Sequence, residues 1–206
     1  LIKNGKQNMP SVESQLEVWD EHISKLGGII FEKRVDFIQK LIPVFQKYYQ
    51  TISNDCEKVD IVYHSHHQKN NYIDLLKKNR DRDFILGYTT KGVHRDDLEL
   101  LLNGFPVKKD GSQGQKKSFF IALKLAQYEF LSVYNGFAPI LLFDYLFDKL
   151  DEDRGERLIE LVSNDSFKQI FITDTQKKRL NNIVSKTGKP YTFFVVNEGE
   201  VLPELL

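Results

Sequence analysis

The stretch GFAPILLFDYLFDKLDEDR, Gly136 to Arg154, decides how the rest of the sequence is interpreted. Its apolar run from Pro139 to Phe143 leads directly into Asp144. Buried parallel strands are continuous apolar runs, and a carboxylate at the end of one offers the oxygen ligand that magnesium prefers. The sequence contains no G-x-x-x-x-G-K-[ST] phosphate loop, the usual companion of such a strand. The strand is therefore either ordinary core or one part of a nucleotide site whose phosphate loop lies elsewhere.

Length and charge limit the class of protein. The chain has 206 residues, which is enough for one or two domains with a substantial core. It begins at Leu1 without a methionine, which indicates a piece of a longer protein and agrees with the missing loop. Lys plus Arg and Asp plus Glu number 29 each, so no net charge attracts the whole molecule to nucleic acid or to an anionic membrane. Any contact with DNA must come from local clusters of charge.

Cysteine content and hydropathy limit the compartment. Cys56 is the single cysteine, which excludes an internal disulfide framework and fits a reducing cytosol. No apolar run approaches the roughly 18 residues of a membrane span, and the amino end lacks a signal-peptide pattern. The sequence therefore predicts a soluble, cytoplasmic protein without membrane contact.

Apolar residues recur at helical spacing in the first part of the chain. One series covers residues 12–26 and is stopped by Gly27-Gly28, as a helix C-cap would stop it. A second series covers residues 31–52 and includes Pro43, where the backbone loses a donor. The pattern predicts two amphipathic helices, the second kinked at the proline, joined by a short turn as an antiparallel pair.

A short strand and another helix complete this first region. The segment KVDIVYHS, 58–65, predicts the strand, and residues 71–87 predict a helix with a heavily charged face. We expect residues 1–86 to form a helical arm without chemistry of its own.

Beyond residue 87 the pattern is that of an α/β domain. Asn103-Gly104 between two apolar segments predicts a β-hairpin. A long helix, a strand, a helix, a strand and a closing hairpin are predicted at residues 115–134, 139–143, 152–162, 169–173 and 191–201. The strand, helix, strand order implies a parallel pair with a right-handed crossover.

A glycine-containing loop lies immediately before the long helix. Its residues are Gly111, Ser112, Gln113, Gly114 and Gln115. The first amides of a helix and its dipole form an anion site, and glycine lets a phosphate approach the backbone closely. A plain N-cap by Ser112 or Gln113 explains the loop equally well when it is considered alone. The phosphate interpretation gains weight because the Asp144 strand, DKLD and ITDT follow in the order of an ABC-type ATPase.

These segments resemble those of the RecF family, bacterial recombination and repair ATPases related to ABC and SMC proteins. The resemblance runs from about Trp19 to the C-terminus and is carried by GVHRDD (92–97), GSQGQKKSFFIALKLAQ (111–127), PILLFDYLFDKLD (139–151) and IFITDT (170–175). A phosphate-loop segment precedes them in that family. The resemblance therefore implies an α/β fold: the C-terminal half of an ABC-type P-loop ATPase head at residues 87–206, with the inserted helical arm at 1–86.

The resemblance also implies a nucleotide site with ATP and Mg²⁺ as cofactors. Ser112, Gln113, Gly114 and Gln115 would form the signature loop, which meets the γ-phosphate held by the phosphate loop of a second subunit. Asp144 resembles the Walker B aspartate, which orients magnesium through its water shell.

Two further loops have counterparts in the family. The D-loop, which crosses the dimer interface, would contain Asp148, Leu150 and Asp151. The switch position, where many ABC proteins carry a histidine that senses the γ-phosphate, would contain Thr173, Asp174 and Thr175.

Tyr145 departs from the family pattern. RecF proteins carry an acidic residue directly after the Walker B aspartate, where it orients or polarises the attacking water. A tyrosine, with a reference pKa of about 10, is a poor base at neutral pH. Either hydrolysis is slow, or Asp148 assists, or the site is altered.

The function implied by the resemblance is DNA replication and repair. The intact protein would be an ATP-dependent homodimer that clamps DNA at gaps or single-strand/double-strand junctions in recombinational repair, with slow hydrolysis. Other recombination-mediator proteins would be its partners. The chain alone, which lacks the Walker A loop, is expected to be inactive.

Two other classes of function remain open from the residues alone. A metal-dependent nuclease or phosphoesterase would use His94, Asp96, Asp97 and Asp144, although adjacent aspartates on a strand point to opposite faces. In HRDD, 94–97, which includes Arg95, only the family match suggests a role, and a structural salt-bridge knot explains the segment as well.

A non-catalytic DNA-binding or protein-binding module is the second alternative. It would use the helical pair and the basic clusters 108–109, 116–117 and 177–179. Such clusters are more often solvated surface, and salt-dependent DNA binding would favour the DNA role because phosphate contacts release counterions.

Overall fold

The computed structural model describes residues 2, 9–68 and 71–204. The chain divides into two compact units. The first comprises residues 1–44 and 59–110, and the second comprises 45–58 and 111–206. The predicted boundary after residue 86 does not coincide with this division, because 45–58 joins the second unit and 87–110 stays with the first.

Helix α1, Met9–Ser53, is one continuous helix of 45 residues, so the predicted antiparallel helix pair is wrong. Gly27 and Gly28 lie inside the helix and do not end it. Gly27 has a packing role, because a Cβ atom there would lie 2.4 Å from Nε2 of His67. Although α1 is long, no helix in the described part of the chain is apolar enough over sufficient length to cross a membrane.

The His67 contact leads to a prediction about stability. Its ring stacks on Tyr72, with centroids 3.9 Å apart, so it cannot move freely away from a new methyl group. We expect Gly27→Ala to lower the free energy of unfolding by on the order of 1 kcal/mol, because overpacking outweighs the better helix propensity of alanine. Gly28→Ala is the matched control, because a Cβ atom there meets nothing within 4 Å. This substitution should raise the free energy of unfolding by up to about 1 kcal/mol. Urea denaturation measures both, and equal shifts would refute the packing role.

The first unit contains a three-stranded antiparallel sheet in the order β1, β2, β3. Its strands are Val59–His64, Asp97–Leu102 and Phe105–Pro106. The predicted hairpin is confirmed: Asn103 and Gly104 both have positive φ, 51° and 83°, as its tight turn requires.

Short helices accompany this sheet. They are α2 Tyr72–Lys78, α3 Arg80–Leu86, α4 Val107–Asp110 and the 3₁₀ turns His66–Gln68 and Val93–Arg95. The single helix predicted at 71–87 is interrupted at Asn79, whose side-chain amide donates to the carbonyl of Leu75 at 2.7 Å. Asparagine competes with the helix for backbone hydrogen bonds, which explains the break.

The second unit contains the α/β elements. They are α5 Gln113–Asn135, β4 Ile140–Phe143, α6 Glu152–Val162, β5 Gln169–Ile172, α7 Lys177–Ser185, β6 Phe193–Asn197 and β7 Glu200–Glu204. Strands β4 and β5 are parallel, as predicted. Strands β6 and β7 form the predicted closing hairpin, whose turn places Glu198 and Gly199 at φ 49° and 87°.

The end of α1 supplies the core of the second unit. Phe45, Tyr49 and Ile52 are each fully buried there. The ring of Phe45 lies 4.6 Å, centroid to centroid, from that of Phe119 on α5. This packing explains why residues 45–58 belong with the α/β elements and not with the arm.

Candidate nucleotide-contact site

Asp144 and Thr173 meet at the carboxyl ends of the parallel strands. The Thr173 hydroxyl donates to Oδ1 of Asp144 at 2.5 Å and accepts from the backbone N–H of Tyr145 at 3.1 Å. The N–H of Thr173 donates to the carbonyl of Phe143 at 2.8 Å. Because parallel strands present their carboxyl ends at one edge, the predicted Walker B and switch residues are brought together, with the Asp144 carboxylate exposed.

Tyr145 has an unusual backbone conformation. Its φ is 47°, in the left-handed region, where residues other than glycine, asparagine and aspartate are uncommon. Its carbonyl accepts from Nζ of Lys117 at 3.0 Å, and the residue is 56% exposed. Unusual φ values of this kind concentrate at functional sites.

The predicted D-loop, 148–151, is anchored by apolar residues in it and just before it. Leu146, Phe147 and Leu150 are buried, whereas Asp148 is exposed. The carboxylate of Asp174 accepts from the N–H of Phe147 at 3.3 Å, which joins the switch segment to the D-loop.

Two basic residues of the predicted surface clusters also bond to the segment 145–150. Arg179 donates to the carbonyl of Leu150 at 3.0 Å and covers the ring of Phe147 at 4.9 Å. Lys117 bonds to the carbonyl of Tyr145. Nothing in the sequence distinguished these two from solvated basic residues.

Ser112 is the N-cap of α5, so the plain capping interpretation is confirmed. Its hydroxyl accepts from the N–H of Gln115 at 3.2 Å, and its own N–H donates to Oε1 of Gln115 at 2.7 Å. This capping box does not use the N–H groups of Gln113 and Gly114, which begin the helix and have no intrahelical acceptor. They remain available to an anion at the positive end of the helix.

Residues 111–115, here called the Ser112 loop, lie directly against the predicted D-loop. A Cβ atom at Gly114 would be 3.2 Å from the carbonyl oxygen of Lys149. Glycine therefore permits the close approach of two segments that the sequence assigned to one nucleotide site.

Glu57 is a half-buried polar residue that the sequence interpretation missed. It is 11% exposed in its side chain and pairs with Arg154 at 3.0 Å. It also accepts from the Tyr49 hydroxyl at 2.6 Å and from Nε2 of Gln115 at 2.7 Å. Burial raises the pKa of the Glu57 carboxyl, but these three hydrogen bonds and the Arg154 charge together hold the pKa below its usual value.

Asp96 lies in the first unit and forms a salt-bridge knot. Its side chain is 4% exposed, and Oδ2 pairs with Arg34 at 2.6 Å. The Tyr63 hydroxyl donates to the same oxygen. This geometry accounts for Asp96 by structural contacts.

The other residues of HRDD also have local partners. Nε2 of His94 lies 2.9 Å from the carbonyl oxygen of Thr89, and Arg95 lies over the Tyr88 ring at 5.1 Å. Oδ1 of Asp97 accepts from the next N–H in the chain at 2.8 Å. Across residues 9–68 and 71–204 no group of three or more His, Cys, Asp or Glu is arranged to hold a metal ion. The two-metal nuclease alternative thus has no geometric support.

Solved structures share this fold. A structure from work on ATP-driven dimerisation and DNA-stimulated activation of SMC ATPases is 14% identical, with a TM-score of 0.53, and the match covers 86% of this chain and 89% of that one. An SMC head bound to the C-terminal winged-helix domain of ScpA is 16% identical, with a TM-score of 0.54, over 91% of this chain and 50% of that one. The chain therefore has the α/β fold of the SMC ATPase heads in these structures.

Curated relatives narrow the class. The DNA replication and repair protein RecF of Phocaeicola vulgatus is 47% identical over 92% of this chain and 51% of its own length. That of Bacteroides fragilis is 44% identical over 95% of this chain and 53% of its own length. The chain belongs to the RecF family, and it spans about half the length of the curated relatives it matches.

A solved RecF structure agrees with this assignment. The recombination mediator protein RecF with ATP, from the RecFOR pathway, is 25% identical, with a TM-score of 0.72, over 100% of this chain and 53% of that one. No protein-family model matches the sequence.

Proposed function

We propose that the chain is the C-terminal half of a RecF-type ATPase and that it completes the nucleotide site of a second subunit. The observation that carries the proposal is the contact of the Ser112 loop with the D-loop, at Gly114 and Lys149, in a chain without a phosphate loop. The start of α5 would contact the terminal phosphate of a nucleotide that the phosphate loop of a second subunit holds.

An exposed apolar sheet face supports the proposal that the chain is half of an ATPase head. Ile140 and Leu142 on β4 are 59% and 70% exposed, and Phe171 on β5 is 48% exposed. Parallel sheets normally have both faces covered. The other half of the ATPase head would cover this apolar face.

The residues present fit ATP and Mg²⁺. Magnesium binds through one or two carboxylates together with water and phosphate oxygens, and Asp144 supplies one exposed carboxylate at the strand end. Bound magnesium would neutralise charge on the phosphates. The N–H groups of Gln113 and Gly114, with the Ser112 hydroxyl, would contact the terminal phosphate.

The wider role follows from the relatives. Their names place them in DNA replication and repair, and one structural neighbour is a recombination mediator. We infer that the intact protein forms an ATP-dependent homodimer in the cytoplasm, clamps DNA at gaps or junctions, and works with other recombination mediators. This inference is tested by measuring how much full-length protein is retained on gapped duplex DNA and on blunt duplex DNA, each with and without ATP. Equal retention without ATP would contradict the clamp.

The 206-residue chain alone should not hydrolyse ATP. Asp144 has no phosphate loop beside it, so the nucleotide lacks most of its phosphate contacts. Phosphate release from the purified chain measures this, with the full-length protein as the positive control. Turnover by the chain that disappears in Asp144→Ala would show that it holds a complete site, contrary to the proposal.

A further inference from the structure

A half-buried ionic cluster contacts the Ser112 loop through Gln115. At its centre the Glu57 carboxylate accepts from Gln115 at 2.7 Å on Oε1, from Arg154 at 3.0 Å on the same oxygen, and from Tyr49 at 2.6 Å on Oε2. Glu57 comes from the segment after α1, so it reaches the loop only through the fold of the second unit.

Arg154 extends the cluster to the end of the D-loop. Its Nε lies 3.2 Å from Oδ2 of Asp151, and Asp151 is the N-cap of α6. Another guanidinium nitrogen donates to the hydroxyl of Ser118 at 3.2 Å, and Ser118 is fully buried on α5. One arginine therefore contacts Glu57, α5 and the start of α6.

The side chain of Gln115 connects Glu57 to Ser112 by hydrogen bonds. Its Oε1 holds the N–H of Ser112, while its Nε2 is held by Glu57. Both ends of the side-chain amide are thus occupied inside the protein. The position of Ser112, and with it the direction of the free N–H groups, depends on where Glu57 holds Gln115.

We propose that Glu57 and Arg154 are positioning residues that hold the Ser112 loop and the end of the D-loop as one unit. The inference rests on the proposed function, in which both segments meet a second subunit. Charge-assisted hydrogen bonds in buried surroundings are stronger and more directional than exposed ones. Loss of either partner leaves the other charge half-buried and uncompensated, so the two segments lose their common support.

The proposal separates two steps of the ATP cycle. ATP binding to a subunit's own phosphate loop does not involve the Ser112 loop and is expected to be unchanged. ATP-dependent dimerisation needs that loop. In the full-length protein, Glu57→Leu and Arg154→Met should raise the dimer dissociation constant about 10-fold or more. The ATP affinity of the monomer should stay within about twofold of the parent. Measuring the two steps separately distinguishes a loss of dimerisation from a loss of ATP binding.

Two further variants distinguish positioning from general stability. Glu57→Gln keeps an oxygen acceptor for Gln115 but loses the charge that pairs with Arg154, so it should restore only part of the dimerisation lost in Glu57→Leu. Glu129→Leu is the matched control: Glu129 accepts from the Tyr48 hydroxyl at 2.7 Å, a comparable part-buried pair in the same unit without a bond to the loop. It should lower the melting temperature and leave dimerisation intact.

Sedimentation with ATP and hydrogen exchange of residues 112–116 provide the readouts. Faster exchange in Glu57→Leu but not in Glu129→Leu is expected. Equal loss of dimerisation in these two variants, or unchanged loop exchange in Glu57→Leu, would overturn the positioning role. A parent protein that does not dimerise with ATP would overturn the proposed function instead, and loop exchange would still decide the role of Glu57.

Discussion

Tyr145→Asp is expected to raise the single-turnover rate of ATP hydrolysis by the full-length protein about 10²-fold to 10⁴-fold, the usual contribution of a general base. An ionised carboxylate can accept a proton from the attacking water, whereas a neutral phenol is a poor base. The backbone conformation at position 145 also favours this substitution. Tyr145 has φ 47°, and aspartate adopts this left-handed conformation more readily than tyrosine.

ATP affinity and ATP-dependent dimerisation should change little in this variant. Both steps need phosphate contacts and magnesium, and a general base acts mainly in the transition state. Tyr145→Asn is the matched control, because asparagine also tolerates positive φ but cannot act as a base. Single-turnover kinetics and ATP titration measure the three proteins. If the Asp and Asn variants hydrolyse ATP equally, the water is activated elsewhere, and Asp148→Asn becomes the next variant to measure.

Ser112→Asp is expected to weaken ATP-dependent dimerisation about 100-fold or more. Aspartate preserves the N-cap, so α5 should begin at the same residue. Its charge would face the terminal phosphate of the second subunit, and two like charges about 4 Å apart near a protein surface repel by about 4 kcal/mol. In the proposed site the Ser112 hydroxyl serves both the cap and the phosphate, and the aspartate that replaces it would serve only the cap.

Ser112→Asn separates charge from shape, because asparagine is also a good N-cap and is neutral. It should dimerise far better than the aspartate variant, while both bind ATP as monomers like the parent. Sedimentation velocity with and without ATP provides the measurement. Dimerisation of Ser112→Asp at the parent level would remove the loop from the nucleotide interface.

Local signals in the sequence determined the frame of the candidate site. The apolar run into Asp144 predicted β4, and the parallel partner β5 is present with Thr173 beside the aspartate. Ser112 was an N-cap candidate and is one. The pair Asn103-Gly104 predicted its hairpin, because positive φ at two adjacent residues is a local requirement that few residue types meet.

The long helix shows where local signals fail. Gly27-Gly28 resembles a helix end, but the need for Gly27 comes from His67, which lies far along the chain. A glycine required by a distant ring and a glycine required by a C-cap are identical in sequence. Packing of 45 continuous residues overrides the local preference.

The support of the site was decided by tertiary structure alone. Glu57, Arg154, Lys117 and Arg179 are charged residues that local patterns place in solvent, yet each bonds to a segment of the candidate site. Whether a charged side chain is solvated or buried with a partner depends on which elements pack around it. That packing joins the end of α1 to α5 and α6, and residues this far apart in the chain leave no periodic or local trace of their contact.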